Sequence, residues 1–384
     1  MNRQILTLVS LLLAACASQP RLGVNAALLQ DALFAPPAEP IDISQALALS
    51  PAMQELLDHD FQLRHGGRDP QGWLLRAMAQ DGPLALHYDS SLTRNAAQAF
   101  DSHSGNCLSL TLMTGAFAKR LGLPVRYQSV YIADSWSRSG DLNLASGHVN
   151  LALGSYPLTG TRIQGDTPGA VVIDFLPAEE LRGQRTRAIR EETVLAMYLN
   201  NRAAEQLALA QLDQAYAFVR AAIHQDPSFL NSYNTLGVIY LRHGRLPEAE
   251  RSLRYALSLE PENTSAMSNL VQVLTDQGKT AEAQQLAAQL AAIDPNPPFY
   301  FFDQGLAAMK QGDYAAAKQL FKRELRRAAY YHEFHFWLAL ADLGLGDPDR
   351  ARKHLGIALE NSATPQDHAF YAAKLDWLKQ RRVQ

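Results

Sequence analysis

Gly244, Gly278, Gly312 and Gly346 stand 34 residues apart at every step. Ala215, Ala249, Ala283, Ala317 and Ala351 keep the same period, as do Pro227, Pro261 and Pro295. Each glycine closes an apolar-periodic stretch, at a point where a residue without Cβ can take positive φ at little cost. Each alanine falls early in the following helix, where a small side chain lets two helices approach. Each proline follows an acidic residue (Asp226, Glu260, Asp294) and stops that second helix. Two short helices cannot bury an apolar face alone, so units of this kind must stack. The chain is therefore expected to be a solenoid over much of its C-terminal half.

Ser232 to Pro261 (SYNTLGVIYLRHGRLPEAERSLRYALSLEP) and Ser265 to Pro295 carry the whole plan. The three superposed registers resemble the tetratricopeptide repeat, over roughly residues 196–361 in about five units. The array is set at residues 188–384, with Pro365 to about Arg381 as the closing helix over the last apolar face. Ala329 stands where the fourth unit would have its proline, so an irregular junction is expected there. The resemblance implies a protein or peptide partner held by the array. The alternative is a scaffold that packs against its own N-terminal domain.

Residues 41–187 are not repetitive and read as α+β. Helical stretches at Ser44–Leu57 and Pro70–Ala79 precede Ser104-Gly105-Asn106-Cys107 and an amphipathic helix, Leu108–Leu121. Asn106 or Ser104 can cap this helix, and Gly122 with Pro124 ends it. Cys107 then lies in the first turn, where the helix dipole favours a thiolate over a thiol. Strands are expected at Val125–Ile132, His148–Leu153 and Val171–Phe175. In the second, Val149, Leu151 and Leu153 share one side, so His148 and Asn150 face the other. Asp174 interrupts an apolar run, and a carboxylate there needs a partner, which an imidazole on the adjacent strand would supply. A single cysteine is more often a small buried hydrophobe than a nucleophile. The functional reading rests on Cys, His and Asp occurring together, in this order, on these elements.

That order resembles the transglutaminase-like branch of the papain-type thiol enzymes, over roughly residues 95–180. The matching stretches are GNCLSLTLMTGAFAKRLGLPVRYQSV, SGHVNLAL and VVIDFLP. The resemblance implies Cys107 as nucleophile, His148 as its base and Asp174 as the residue orienting the imidazole. The N–H of Cys107 would be one oxyanion donor, with Tyr88, Asn95 and His103 as candidates for the second. The chain departs from the pattern at Asn106 and Asn150, where relatives have an acidic and an aromatic residue. Calcium ligands typical of some relatives are not identifiable. His103 is a rival base. A metal site built from it and Cys107 lacks further ligands at Cys/His spacing. No cofactor or metal is expected. The polar stretch Ala133–Ser146 reads as a loop with Trp136 at its tip, flanking the cleft.

The N-terminus combines Arg3, a largely apolar run from Ile5 to Ala15, and Cys16. This describes a secretory signal over residues 1–15, too short to span a bilayer. Leu13-Ala14-Ala15-Cys16 resembles the lipobox of bacterial lipoproteins, which implies lipidation of Cys16. Ala17 stands where an inner-membrane retention Asp would be, so the expected place is the outer membrane, facing the periplasm. Residues 16–40 read as a tether. With Cys16 lipidated, Cys107 has no disulfide partner in an oxidising compartment. Charged residues make up 19% of the chain and the net charge is −3, which leaves no basic footprint for nucleic acid. The expected function is a membrane-anchored thiol amide hydrolase or protease acting on a partner recruited by the array. The alternatives are a transamidase, or a non-catalytic adaptor in envelope or polysaccharide assembly.

Overall fold

Pro51 decides where the first long helix begins. The computed structural model describes residues 22–380, apart from 65, 80, 90–91, 132–135, 140–141, 146–147, 155–169, 176–184, 329–330 and 363–364. Cys16 and the signal segment lie outside the described residues. In place of one helix over Ser44–Leu57, the chain makes a 3₁₀ turn at Ile43–Ala46 and then starts α1 (Pro51–Leu56). A proline is favoured at the first helical position and disfavoured further in. The Ser50 hydroxyl caps it, accepting from Met53 N at 3.2 Å. A π-type stretch, Leu57–Arg64, continues it.

Next come α2 (Pro70–Ala77), β1 (His87–Tyr88), α3 (Ala96–Asp101), β2 (Ser104–Gly105) and α4 (Cys107–Arg120). The remaining strands are β3 (Val125–Tyr131), β4 (Trp136–Ser139), β5 (Leu142–Ala145), β6 (His148–Leu153), β7 (Val171–Ile173) and β8 (Arg185–Ile189). One sheet has the antiparallel order β7-β6-β3-β8. The alternation in β6 does what the pattern requires. Val149, Leu151 and Leu153 enter a core with Leu112, Met113 and Phe117 of α4 and Trp73 of α2. The stretch 133–146 is not simply a loop: β4 and β5 pair as a hairpin, and Trp136 starts a strand opposite Ala145.

β8 was not expected. Its Arg-Thr-Arg-Ala sequence is exposed, so it shows no apolar alternation, yet its backbone completes the sheet against β3. It crosses residue 187, where the sequence reading ends the middle segment. Only Arg190 separates it from the first repeat helix.

Among the described residues five helix pairs and a closing helix follow: α5 (Glu191–Ala208), α6 (Leu212–Gln225), α7 (Leu230–Arg242), α8 (Leu246–Leu259), α9 (Thr264–Asp276), α10 (Thr280–Ile293), α11 (Tyr300–Lys310), α12 (Tyr314–Leu325), α13 (His332–Gly344), α14 (Pro348–Glu360) and α15 (Pro365–Gln380). Gly244, Gly278, Gly312 and Gly346 all have φ between +74° and +76°. Open space surrounds each, so backbone conformation alone selects glycine there. In the first unit Ala210 occupies the same place at φ +57°, where a Cβ is strained. The five register alanines are buried at the helix contacts. Among the described residues no helix is long and apolar enough to cross a membrane.

The irregularity begins one junction earlier than Ala329, which itself lies outside the described residues. α11 and α13 begin 36 and 32 residues after their predecessors instead of 34. Phe299 before α11 sits at φ +66° and cannot cap it. The buried Glu324 of α12 does so instead, accepting from Phe301 N at 2.8 Å.

Residues 24–39 do not hang free as a tether. Leu28 is buried, and Val24, Leu29, Leu33 and Phe34 pack beside it against the first two repeat units. These five apolar residues, set among alanines and prolines, carry no helical or strand period, which hides their burial from the pattern. Ile41 and Ile43 then pack on Ala196, Leu199 and Ala222. On the other side Val194 and Met197 of α5 belong to the core of the middle domain. The two parts are thus joined by a shared helix.

Candidate functional site

Asn106 fixes the start of α4. Its side-chain oxygen accepts from Ser109 N at 2.9 Å and from Ser109 Oγ at 2.8 Å. Its amide nitrogen donates to Thr93 Oγ1 at 3.0 Å. Thr93 is buried, and its own N–H donates to Glu205 Oε1 of α5 at 2.6 Å. Arg202 Nη1 donates to the Thr93 carbonyl at 3.3 Å. The cap that sets Cys107 in place is therefore braced against the first repeat helix. Asn106 thus has a structural task here.

Cys107 is the first helical residue and half-buried. Its N–H lies in the first turn, where no carbonyl one turn back exists to take it. Across from it, His148 is 2% exposed. His148 Nε2 lies 2.7 Å from Asp174 Oδ1. The other oxygen of Asp174, Oδ2, accepts from Asn150 Nδ2 at 2.6 Å. Asp174 follows β7, whose register sets Ile173 opposite Leu151 and so brings the carboxylate beside Asn150. Cys107 is also among the groups that act on the His148 ring.

The electrostatics follow from these contacts. Burial works against a charged imidazole, but Asp174 and Cys107 outweigh it and push His148 up to about 9. At neutral pH the ring carries a proton that it can give to a leaving group. A thiol, an imidazole and a carboxylate in this sequence can run acyl transfer.

Of the three residues expected from the sequence, His148 and Asp174 are in direct contact, and Cys107 acts on the His148 ring. The auxiliary candidates divide. Tyr88 pairs with Gly105, two residues before Cys107. Asn95 is the N-cap of α3, accepting from Gln98 N at 2.8 Å. His103 sits at φ +48° with its ring on Phe100, while Asp174 bonds His148. Asn150 was missed as a site residue. Its place two positions after His148, on the same face of β6, was the available signal.

Comparison with known proteins bears on the repeats. Family models described as tetratricopeptide repeat match residues 240–300 and 302–368. The TPR repeat-containing protein PA4667 of Pseudomonas aeruginosa is 25% identical over 150 residues, which is 38% of this chain and 25% of that protein. Heat shock protein STI1 of Saccharomyces cerevisiae is 34% identical over 113 residues, 29% of this chain and 19% of that one. The chain thus spans a quarter or less of the curated relatives it matches. Two solved structures are similar to part of it. TTC0263, a TPR protein of Thermus thermophilus, is 19% identical with a TM-score of 0.31, covering 47% of this chain and 98% of its own. The pilF structure of Pseudomonas aeruginosa is 18% identical with a TM-score of 0.30, covering 50% and 88%. The C-terminal half carries tetratricopeptide repeats, a class that generally mediates protein–protein interaction.

Proposed function

We propose that this chain is an envelope thiol hydrolase of transglutaminase-like fold, with a repeat array that presents its protein or peptide substrate. The observation that carries the reading is the chain of contacts from Asp174 through His148 to Cys107. In the proposed cycle the Cys107 sulfur attacks an amide carbonyl carbon, and the oxyanion forms beside the Cys107 N–H. The His148 imidazolium gives its proton to the departing amine, leaving a thioester on Cys107. Water, deprotonated by the now neutral imidazole, then attacks the thioester and frees the acid. An amine in place of that water would make the same site a transamidase. Lipidation of Cys16 would hold the protein at the periplasmic face of the outer membrane.

The likenesses to known proteins favour a second reading, since all of them concern the repeats. It is a non-catalytic adaptor that binds partners in envelope or polysaccharide assembly. Capture of crosslinked partners on the full-length protein separates the two. Hydrolysis requires an intact partner to accumulate on Cys107→Ala while the wild type carries less of it, or its fragments. Equal amounts of the same intact partner on both proteins would leave the adaptor.

A further inference from the structure

Residues 24–39 are gripped in a way that differs from ordinary core packing. Side chains of the first two repeat units bond the main chain of this strap at five atoms. The Tyr240 hydroxyl donates to Leu28 O at 2.8 Å and accepts from Gln30 N at 3.0 Å. Asp213 Oδ1 accepts from Ala35 N at 2.9 Å. Gln214 accepts from Ala38 N at 3.1 Å and donates to Glu39 O at 3.5 Å. Only two polar or aromatic strap side chains are read in detail. The Asp31 carboxylate takes the Tyr216 hydroxyl at 2.7 Å and Arg220 Nε at 3.0 Å. The Phe34 ring stacks on Tyr216, with centroids 4.0 Å apart and planes within 5°, and meets His243 edge-on at 4.9 Å. Most other strap residues from Leu22 to Pro40 are exposed or half-exposed.

Main-chain atoms held by fixed side chains, with pockets for a few chosen residues, are the features by which proteins bind extended peptides. The slot lies on α6 and at the end of α7, beside the turns between helices. We infer that this slot is a peptide-binding site filled in cis by the chain's own residues 24–39. The external partner it fits is an unstructured segment of another protein with a carboxylate three residues ahead of an aromatic ring. The main-chain contacts, at residues 28, 30, 35, 38 and 39, flank this pair and read no side chain. A partner must displace a strap tethered at an effective concentration on the order of millimolar. Binding by the wild type is therefore suppressed, and anything that loosens the strap opens the slot. This inference is independent of the chemistry at Cys107.

The test uses a fluorescent synthetic peptide of residues 22–40 and the full-length protein. In the variant Asp31→Ala/Phe34→Ala the cis strap has lost its carboxylate and aromatic anchors and keeps Leu28. This variant should bind the peptide about 10²-fold tighter than the wild type does. Adding Tyr216→Ala should remove that binding, and a peptide carrying Phe34→Ala should bind at least tenfold more weakly. Circular dichroism accompanies each measurement. A folded double variant that binds no peptide, or binds both peptides alike, overturns the inference. Failure of the double variant to fold also overturns it, because the strap would then be an ordinary core element.

Discussion

His148→Ala slows alkylation of Cys107 by about 10²-fold at pH 6, and the two proteins converge above pH 9. The reason is the charge beside the sulfur: the buried His148 ring, held near 9, is an imidazolium at pH 6 and stands next to the reacting atom. Part of the advantage is returned because a stabilised thiolate is a weaker nucleophile, which keeps the expected effect near 10²-fold. Asp174→Asn should have a smaller effect in the same direction, since the amide keeps a hydrogen bond but removes the charge that favours the imidazolium. The measurement is the second-order rate with iodoacetamide between pH 5 and 10. Parallel profiles for wild type and His148→Ala would leave the sulfur as an ordinary cysteine.

The second large effect is structural. Asp226 is 1% exposed and ties the first repeat unit to the second. It accepts from Thr193 Oγ1 at 2.5 Å, Ser228 Oγ at 2.6 Å, Ser228 N at 3.0 Å and Arg190 Nη2 at 3.1 Å. Asp226→Ala leaves these donors without their acceptor and should cost about 2–4 kcal/mol, given about 1.5–3 kcal/mol for a bond to a charged group. The half-exposed Arg190 adds little to that figure. Burial disfavours the ionised carboxylate, but the bonds from Ser228 and Thr193, with Arg190, hold its pKa below the ordinary 3.8. A carboxyl with a depressed folded pKa stabilises fully above its unfolded value and loses that contribution as pH falls through the folded one. Urea denaturation should therefore show a wide gap between wild type and variant at pH 7 that narrows below about pH 4. A gap that stays constant with pH would contradict the ionic role.

What could be read from the residues depended on whether backbone and side chain pointed the same way. The repeats were legible because two independent demands recur at one period. A left-handed turn selects Gly244 and its equivalents, and a helix crossing selects Ala249 and its equivalents. The slip at α11 was harder to place, because the residue that rescues that helix start, Glu324, lies 23 positions from Phe301. Strand β6 was legible because one face had to be apolar. Strand β8 was not, because an edge strand can be polar throughout and still bond its neighbour. For the site, helix start and strand alternation put Cys107 in a first turn and suggested an imidazole partner for Asp174, while the grouping of all three was implied only by the family resemblance. They could not show that Asn150 takes the second oxygen of Asp174, or that Asn106 leans through Thr93 on α5. Both depend on contacts between distant segments. The strap lacked any period, and its partners Tyr216 and Tyr240 read simply as repeat core.

The claim on which the functional reading stands is that Cys107 and Asp174 both act on the His148 ring. An NMR titration of the His148 ring in wild type and Cys107→Ala tests it directly. The expected midpoint is about 9 in the wild type, and lower in the variant, because the thiol is one of the two groups that raise it. A wild-type midpoint at or below the ordinary 6.5, unmoved by the loss of Cys107, would contradict the coupling and with it the proposed chemistry.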